Sequence, residues 1–354
     1  MARGKNVVGL DIGSSAIKVI QMKETKRGLQ LLNFGMAPLP PEAIVDGALM
    51  NSSAIVDTIL ELYARTRIKN KDVAIGIAGH SVIIKKISLP SMTREELNDS
   101  IQWEAEQYIP FDINDVNIDA QILNPSAGDG GHMDVLLVAA KKEIVNDYTA
   151  VVTEAGLNPV IVDVDSFAVQ NQFERNYDVS TEESIVLVNV GASVTSINIL
   201  SRGVSSFTRD ITMGGAQFTE EIQKQLGVSW EEAEALKLGG ELGRDSDSLV
   251  PQEVERVIVG VAENLAGEIQ RSLDFFAATT AETSLARVLL SGGTSKIPAL
   301  TRIIGQRTGI PVEVMNPFEK IEFDPKVFHP DYMREVAPMA AVAVGLGLRR
   351  TDET

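Results

Sequence analysis

The sequence predicts an α/β fold of two similar lobes, the first carrying a small α/β insert. Three observations predict it. Strand-like and helix-like stretches alternate through most of the 354 residues. A strand, a small-residue turn, a strand and a third strand near residue 7 recur in the same rhythm near residue 185. From about residue 86 to 160 the texture changes to helix, strand, helix, strand, between the two copies.

The elements follow in order. Val7 to Ile12 and Ala16 to Met22 read as strands around a Gly13-Ser14-Ser15 turn, and "GLQLLNFGMA" as a third. "NSSAIVDTILELYARTRI" has helical apolar spacing at Ile55, Ile59 and Leu62. "DVAIGIAG" and "SVIIKKISLP" are apolar strands, the second stopped by Pro90. Thr93 with Glu96 forms a capping box that opens the next helix. Trp103 and Tyr108 fit one face of it, and core packing is the expectation for both. "NPSAGDGGH" at 124–132 is a turn. "DVLLVAAKKEIVNDYTAVVTEAGLNPVIVDVD" gives strand, helix, strand, with Gly156 and Pro159 closing the helix.

At 185 the opening pattern returns as "IVLVNVGASVTSINILSRGVSSFTRDI". Superposing the copies puts Gly13 on Gly191, Ser15 on Ser193 and Asp11 on Asn189; strict identity is low, and two unrelated β-meanders remain the alternative. A helical block follows, with a second capping box at Ser229 and Glu232 and a long helix with Pro251 in its first turn. "RVLLSGGTSKIPALTRIIGQRTG" reads strand, glycine turn, helix. "APMAAVAVGLGL" reads as a helix whose small residues permit close packing. The expected bounds are 1–85, 161–180 and 336–354 for the first lobe, 86–160 for the insert, 181–214 and 280–335 for the second-lobe core, and 215–279 for a helical subdomain.

Composition narrows the function. There is no cysteine, so disulfides, thiolate chemistry and zinc–thiolate sites are excluded. The formal charge is −17 and the pI about 4.7, which disfavours nucleic acid and anionic membrane as direct partners. The basic residues form no long run. Asp11 breaks the apolar run after the basic N-terminus, against a signal peptide, and the C-terminal small-apolar run is too short to span a bilayer. The reading is a cytoplasmic protein that reaches a membrane only through a partner. His80, His132 and His329 lack metal-ligand spacing.

A phosphate chain needs backbone N–H groups around a concavity and side chains too small to block it. "DIGSS" and "NVGAS" both qualify. Lys18, on the strand leaving the first turn, can point back toward the phosphates, and Asp11 makes sense there if it holds Mg²⁺ through water. "LSGGTSKIPAL" is a strand-to-helix glycine turn able to lie against an adenosine. No G-x-x-x-x-G-K-[ST] is present and no G-x-G-x-x-G follows a strand, so a P-loop and a dinucleotide fold are both set aside.

"GLDIGSSAIK", "LVNVGAS", "VDVDSFAVQNQF", "MGGAQFTEEI", "EEAEALK" and "LSGGTSKIPAL" stand in the order of the actin-like ATPase superfamily, and over essentially its whole length the chain resembles the PilM family of type IV pilus assembly proteins. The segment "LPSMTREELNDSIQWEAEQYIPF" is the most discriminating part. The resemblance implies a bilobed actin-like fold, a duplicated ribonuclease H-like design, with ATP and Mg²⁺ between the lobes. It matches Asp11, Gly13, Ser14, Ser15 and Lys18 to the first phosphate motif, and Asn189, Gly191, Ala192 and Ser193 to the second. Asp165 is matched to the acid or amide that positions attacking water, with Asp163 its nearest competitor; Asp165 with Ser166 also suits a plain helix cap. Asp11 and Asp165 are thus the candidate catalytic pair. Gly214 and Gly215 lie in the "MGGAQF" match. Glu234 and Lys237 match an E-x-x-K that touches ribose and adenine, a solvated helix face being the alternative, and Gly292, Gly293, Thr294 and Lys296 match the adenosine motif.

The likeness further implies a cytoplasmic scaffold at the inner face of the inner membrane. It grips the cytoplasmic N-terminal peptide of PilN in a groove between first lobe and insert, meets PilO and a motor ATPase indirectly, forms a homo-oligomeric ring, and serves pilus assembly and twitching motility. One departure stands out: relatives carry Asp where this chain has Asn189, so nucleotide binding with slow or absent hydrolysis is expected. The competing readings are an FtsA-like membrane-associated filament protein, which would end in an amphipathic helix unlike "GLGLRRTDET", and a small-molecule kinase, for which no sugar-binding signature is visible.

Overall fold

The computed structural model describes residues 6–127, 131–178, 182–239, 249–280 and 284–351. The chain enters through β1 (Val8–Ile12), β2 (Ala16–Thr25) and β3 (Gly28–Pro38), then a small hairpin of β4 (Ile44–Val45) and β5 (Ala48–Leu49). Helix α1 (Ser52–Thr66) is capped by Asn51 and lays Ile55, Val56, Ile59 and Leu62 on the sheet. β6 (Asp72–Ile77) leads into the insert, built from β7 (Val82–Pro90), α2 (Arg94–Ala105), β8 (Val116–Ala127) and β9 (His132–Lys141). The Thr93–Glu96 capping box is formed. Of the turn expected at 124–132, residues 128–130 lie outside the described residues. α3 (Lys142–Glu154), β10 (Asn158–Val164) and α4 (Asp165–Asn176) then return to the first lobe.

The second lobe repeats the scheme with β11 (Ser184–Val190), β12 (Thr195–Ser201) and β13 (Val204–Ile211). Three helices follow: α5 (Gly215–Leu226), α6 (Trp230–Lys237), which carries the Ser229–Glu232 capping box, and α7 (Leu249–Thr279). β14 (Leu285–Ser291), α8 (Pro298–Thr308) and β15 (Val312–Val314) complete that lobe. β16 (Ile321–Glu322), α9 (Pro330–Val336) and α10 (Ala341–Gly347) close the chain.

The two large sheets have strand orders β10-β6-β1-β2-β3-β16 and β13-β12-β11-β14-β15, and the insert sheet is β7-β9-β8. Each lobe thus holds an antiparallel three-strand meander continued by parallel strands. Alternate residues of β11 divide the second lobe's packing. Val186, Val188 and Val190 face α7 and α8, whereas Ile185 and Leu187 join Ala168, Phe173, Val342 and Leu346 between the lobes. α10 is buried along its whole length, and Gly345 is there because a Cβ would collide with the Ala168 backbone of α4.

Two expected boundaries move. The insert does not reach residue 160: Tyr148, Val151 and Val152 of α3 pack with Val8, Leu10 and Val73 of the first sheet, and β10 pairs in parallel with β6. Residues 318–336 belong to the first lobe, because β16 pairs with β3 and Phe318, Ile321, Met333 and Val336 pack on Ile20, Met22 and Leu31. In both places a short apolar segment finds its partner through a distant strand edge, which local pattern does not reveal. Trp103 is also a correction. Its side chain is 81 % exposed on α2, whose buried face is Leu97, Ile101 and Ala105, and Tyr108 lies beyond the helix, half-buried in the insert's core.

Candidate functional site

The meander turns of the two lobes meet. Antiparallel pairing of β1 and β2 sets Asp11 opposite Lys18, and Lys18 Nζ donates to Asp11 Oδ2 at 2.9 Å. Both side chains are largely buried, at 13 % and 8 % exposure, so the pair is a desolvated charge contact at the base of the first turn. From the other lobe, Ser193 Oγ donates to Ser14 Oγ at 2.9 Å. The two small-residue turns, 179 positions apart, therefore touch.

The second turn is anchored through its carbonyls. Gly191 O accepts from Gly215 N (2.9 Å) and from Thr294 Oγ1 (2.8 Å), and Ala192 O accepts from Ala216 N (2.8 Å). This is where Gly214 and Gly215 act: they bring the first turn of α5 onto the hairpin. Gly292 holds φ +86°, its N–H donates to Pro338 O at 2.7 Å, and a Cβ there would strike the Val190 backbone. Glycine is the only residue that fits. Gly293 lies beside Met339. Lys296 Nζ is taken by Glu335 Oε1 of α9 at 3.3 Å, an exposed link between the lobes.

Glu234 and Lys237 form a closed knot one helical turn apart. Lys237 Nζ donates to Glu234 Oε2 (2.6 Å), Thr219 Oγ1 (2.9 Å) and Gly215 O (3.2 Å), and Thr219 Oγ1 donates to Glu234 Oε2 (2.6 Å). The knot ties α6 to the start of α5. Thr219, fully buried, escaped the sequence reading because nothing local marks it.

Asp165 opens α4, and neither it nor Ser166 caps that helix with a side-chain hydrogen bond. Burial pushes the Asp165 carboxyl well above the usual range, the Asp11 and Asp210 charges add to this, and Lys18 opposes it. Asp163, the competing candidate, sits in an ion pair with Arg349 at 3.6 Å.

Asn189 lies in a polar row that crosses the second sheet. Register places Ser291, Asn189, Ser196 and Asp210 side by side on β14, β11, β12 and β13, and Ser291 Oγ donates to Asn189 Oδ1 at 3.0 Å. The row ends in a carboxylate that the sequence reading missed. Asp210 Oδ2 accepts from Gly79 N of the first lobe at 2.6 Å, and burial raises its pKa while the Ser196 and Gly79 bonds lower it. Its signal was a lone acid at the end of the third strand, just ahead of the Gly214–Gly215 pair. Tyr148, buried in the first-lobe core, was missed too: burial foremost, then the Asp165 and Asp11 charges, push its hydroxyl up. Among the described residues no group of His, Cys, Asp and Glu could by itself hold a metal ion, and no helix is long and apolar enough to cross a membrane.

The Ser14–Ser193, Asp210–Gly79 and Lys296–Glu335 contacts link the two lobes. A groove of about 410 Å³ lies on the insert, lined by Asn98, Ile101 and Gln102 of α2, Val116 to Ala120 of β8, and Lys142. β8 is an edge strand, so its outer backbone groups are free of the sheet.

Residues 9–351 match the family model described as type IV pilus assembly protein PilM. Among solved structures, the chain is similar to a PilM–PilN type IV pilus biogenesis complex, with TM-score 0.87, 30 % identity and 98 % of each chain covered. MreB5 of Spiroplasma citri bound to AMPPNP shares the fold, with TM-score 0.51, 12 % identity, and 96 % of this chain and 94 % of that one covered. Among curated proteins, the cell division protein FtsA of Bacillus subtilis is 22 % identical over 369 residues, covering 96 % of this chain and 82 % of FtsA. The bilobed actin-like fold expected from the sequence is the fold the chain has.

Proposed function

The chain belongs to the PilM family of type IV pilus assembly proteins, and from that premise we propose that it is a nucleotide-binding scaffold of the pilus machine. The reading is that it holds ATP and Mg²⁺ between its lobes and grips the cytoplasmic N-terminal peptide of PilN. The observation that carries the nucleotide half is the meeting of two small-residue turns, one from each lobe, over the Asp11–Lys18 pair. A phosphate oxygen can take over from either serine the hydrogen bond they now share. Glycine and serine side chains leave the backbone N–H groups of both turns approachable.

The residues fit the group. Lys18 would supply the cation for the phosphates, and Asp11, now paired with it, would supply the carboxylate for a hydrated Mg²⁺. Asp165 is the residue matched to the water-directing position, and its burial beside Asp11 and Asp210 raises its carboxyl pKa above the ordinary range. Gly292, Gly293 and Thr294 give the nucleoside a flat backbone edge, with Glu234 and Lys237 as polar contacts for ribose and base. When bound, Mg²⁺ neutralises phosphate charge. Asn189 is neutral and already engaged by Ser291, so the second turn adds no charge for water activation, and turnover is slow or absent.

Calorimetry with Mg-AMPPNP tests binding: saturable 1:1 heat that Lys18→Met abolishes is expected, and a flat titration of the wild type refutes it. Steady turnover of Mg-ATP at about 1 s⁻¹ or faster would refute slow hydrolysis.

For the peptide, the groove between α2 and the edge strand β8 is the supporting feature; it lies on the insert rather than between insert and first lobe, which contributes only Lys142 of α3, and an extended segment can add to such an edge while its side chains enter the groove. The PilM–PilN complex among the chain's structural neighbours supports the same partner. The reading extends to a role in twitching motility, peripheral placement at the inner membrane through PilN, indirect contact with PilO and a motor ATPase, and self-association into a ring. A pull-down with a synthetic PilN N-terminal peptide, with and without ATP, is decisive: no capture in either state removes the scaffold reading.

A further inference from the structure

The chain carries a formal charge of −17, yet one end of its first lobe is cationic. The β2–β3 turn region brings Lys23, Lys26 and Arg27, the α1–β6 loop brings Arg67, Lys69 and Lys71, and all six are exposed. The two loops are neighbours through Asn6, whose Nδ2 donates to Met22 O (3.4 Å) and whose carbonyl accepts from Asn70 Nδ2 (3.2 Å). None of the six side chains forms a hydrogen bond or ion pair among the described residues. Several surface cations elsewhere are paired, Lys86 with Asp134, Lys224 with Glu221, Lys320 with Asp178 and Arg334 with Asp331, and the exposed unpaired ones outside this end, such as Arg94, Arg175, Arg256, Arg307 and Lys326, are scattered along the sequence.

β6 runs from this cationic end to the root of the insert, and there the surface is the opposite in kind. Trp103 stands on the outer face of α2, with Asp99 four residues before it and Glu106 three after, so helical spacing flanks the indole with two exposed carboxylates. Neither carboxylate is paired among the described residues. An indole left in water forgoes roughly 2–3 kcal/mol of burial. Tryptophan ringed by carboxylates is a receptor for ammonium and guanidinium groups, through the ring face and through charge. The groove assigned to the peptide uses Asn98 and Gln102 on another flank of α2, so the Trp103 face stays available.

We propose that the cationic end of one copy docks on the Trp103 face of the next. The two surfaces differ and lie at opposite ends of β6, so the contact is heterologous and propagates head to tail, closing into a ring or running on according to its rotation. A second copy is the occupant that the charges favour. Both halves of the complementarity are present in one chain, whereas the overall −17 repels anionic lipid and nucleic acid. This specifies the self-association included in the reading above and makes no use of the nucleotide cleft.

Analytical ultracentrifugation of the full chain tests it. Wild type should associate with rising concentration at about 50 mM salt and weaken at least tenfold near 500 mM, where the screening length falls to a few ångströms. Trp103→Ala, and separately the combined Lys23→Glu, Lys26→Glu and Arg27→Glu variant, should each weaken association about tenfold or more. Neither change touches a buried residue. An equimolar mixture of the two variants should form a 1:1 heterodimer and stop there, since each retains the surface the other has lost. A wild type monomeric up to about 100 μM, association indifferent to either variant, or a mixture that stays monomeric overturns the proposal. Wild-type capture by phosphatidylglycerol vesicles without self-association also overturns it and reassigns the patch to lipid. Mg-AMPPNP calorimetry on the same samples keeps the nucleotide reading separate: it can hold while this contact fails.

Discussion

The two small-residue turns share one strand-turn-strand scheme but are held in place by different forces. The first is held by charge, with Lys18 neutralising Asp11 across a β-ladder pair. The second contains no charge. Its carbonyls are pinned by Gly215, Ala216 and Thr294, and Val190 beneath it leaves no room for a side chain at Gly292. The carboxylate of that lobe stands two strands away, at Asp210, and bonds the first lobe's Gly79 rather than facing Asn189. Two turns of one backbone shape are thus fixed by different interactions, an ion pair in the first and neutral hydrogen bonds and packing in the second.

The contrast can be broken at either turn, and the largest effect is expected where packing alone holds. Gly292→Ala forces an L-residue into positive φ and pushes a methyl into Val190, for a loss of about 4 kcal/mol. Urea unfolding of the nucleotide-free chain measures it, and a loss below 1 kcal/mol would mean that the turn relaxes freely. Lys18→Met comes next: Asp11 stays buried without its partner, for a loss of about 3 kcal/mol by the same measurement. The matching change in the second turn, Asn189→Ala, removes one neutral hydrogen bond and should cost only about 1 kcal/mol. If the two losses were equal, the division between a charged and a neutral turn would be wrong.

The smallest effect is a gain. The Asp165 pKa is raised in the folded protein, so its contribution to stability is full below the ordinary value of 3.8 and is lost as pH rises above it. Asp165→Asn should therefore melt close to wild type at pH 4 and progressively above it toward pH 8. Melting curves across that range check the sign, and a variant that loses ground as pH rises would show that the carboxylate is stabilised by its surroundings.

Several features were legible because they depend on neighbours in sequence. Both capping boxes form where Thr93 and Ser229 precede Glu96 and Glu232 by three residues, a spacing set by one helical turn. The turns at Gly13 and Gly191 stand between antiparallel strand pairs as expected, and the Ala- and Gly-rich helix near the C-terminus is buried along its whole length. The misplacements have one physical source. Trp103 has helical spacing and a hydrophobic ring, yet α2 turns it outward because Leu97, Ile101 and Ala105 already fill the insert's core. α3 and β10 look continuous with the insert, but the free edge of β6 and the apolar surface over β1 claim them.

By itself the sequence determined the elements, the two glycine turns and the charges placed beside them, because local backbone preference and short-range pairing act over a few residues. Only the tertiary structure decided that Ser14 meets Ser193, that Asp210 reaches Gly79 across 131 positions, and that six scattered cations share one end of a lobe. Those outcomes depend on strand register and on which edge each strand finds, and such choices are settled by burial summed over the whole molecule.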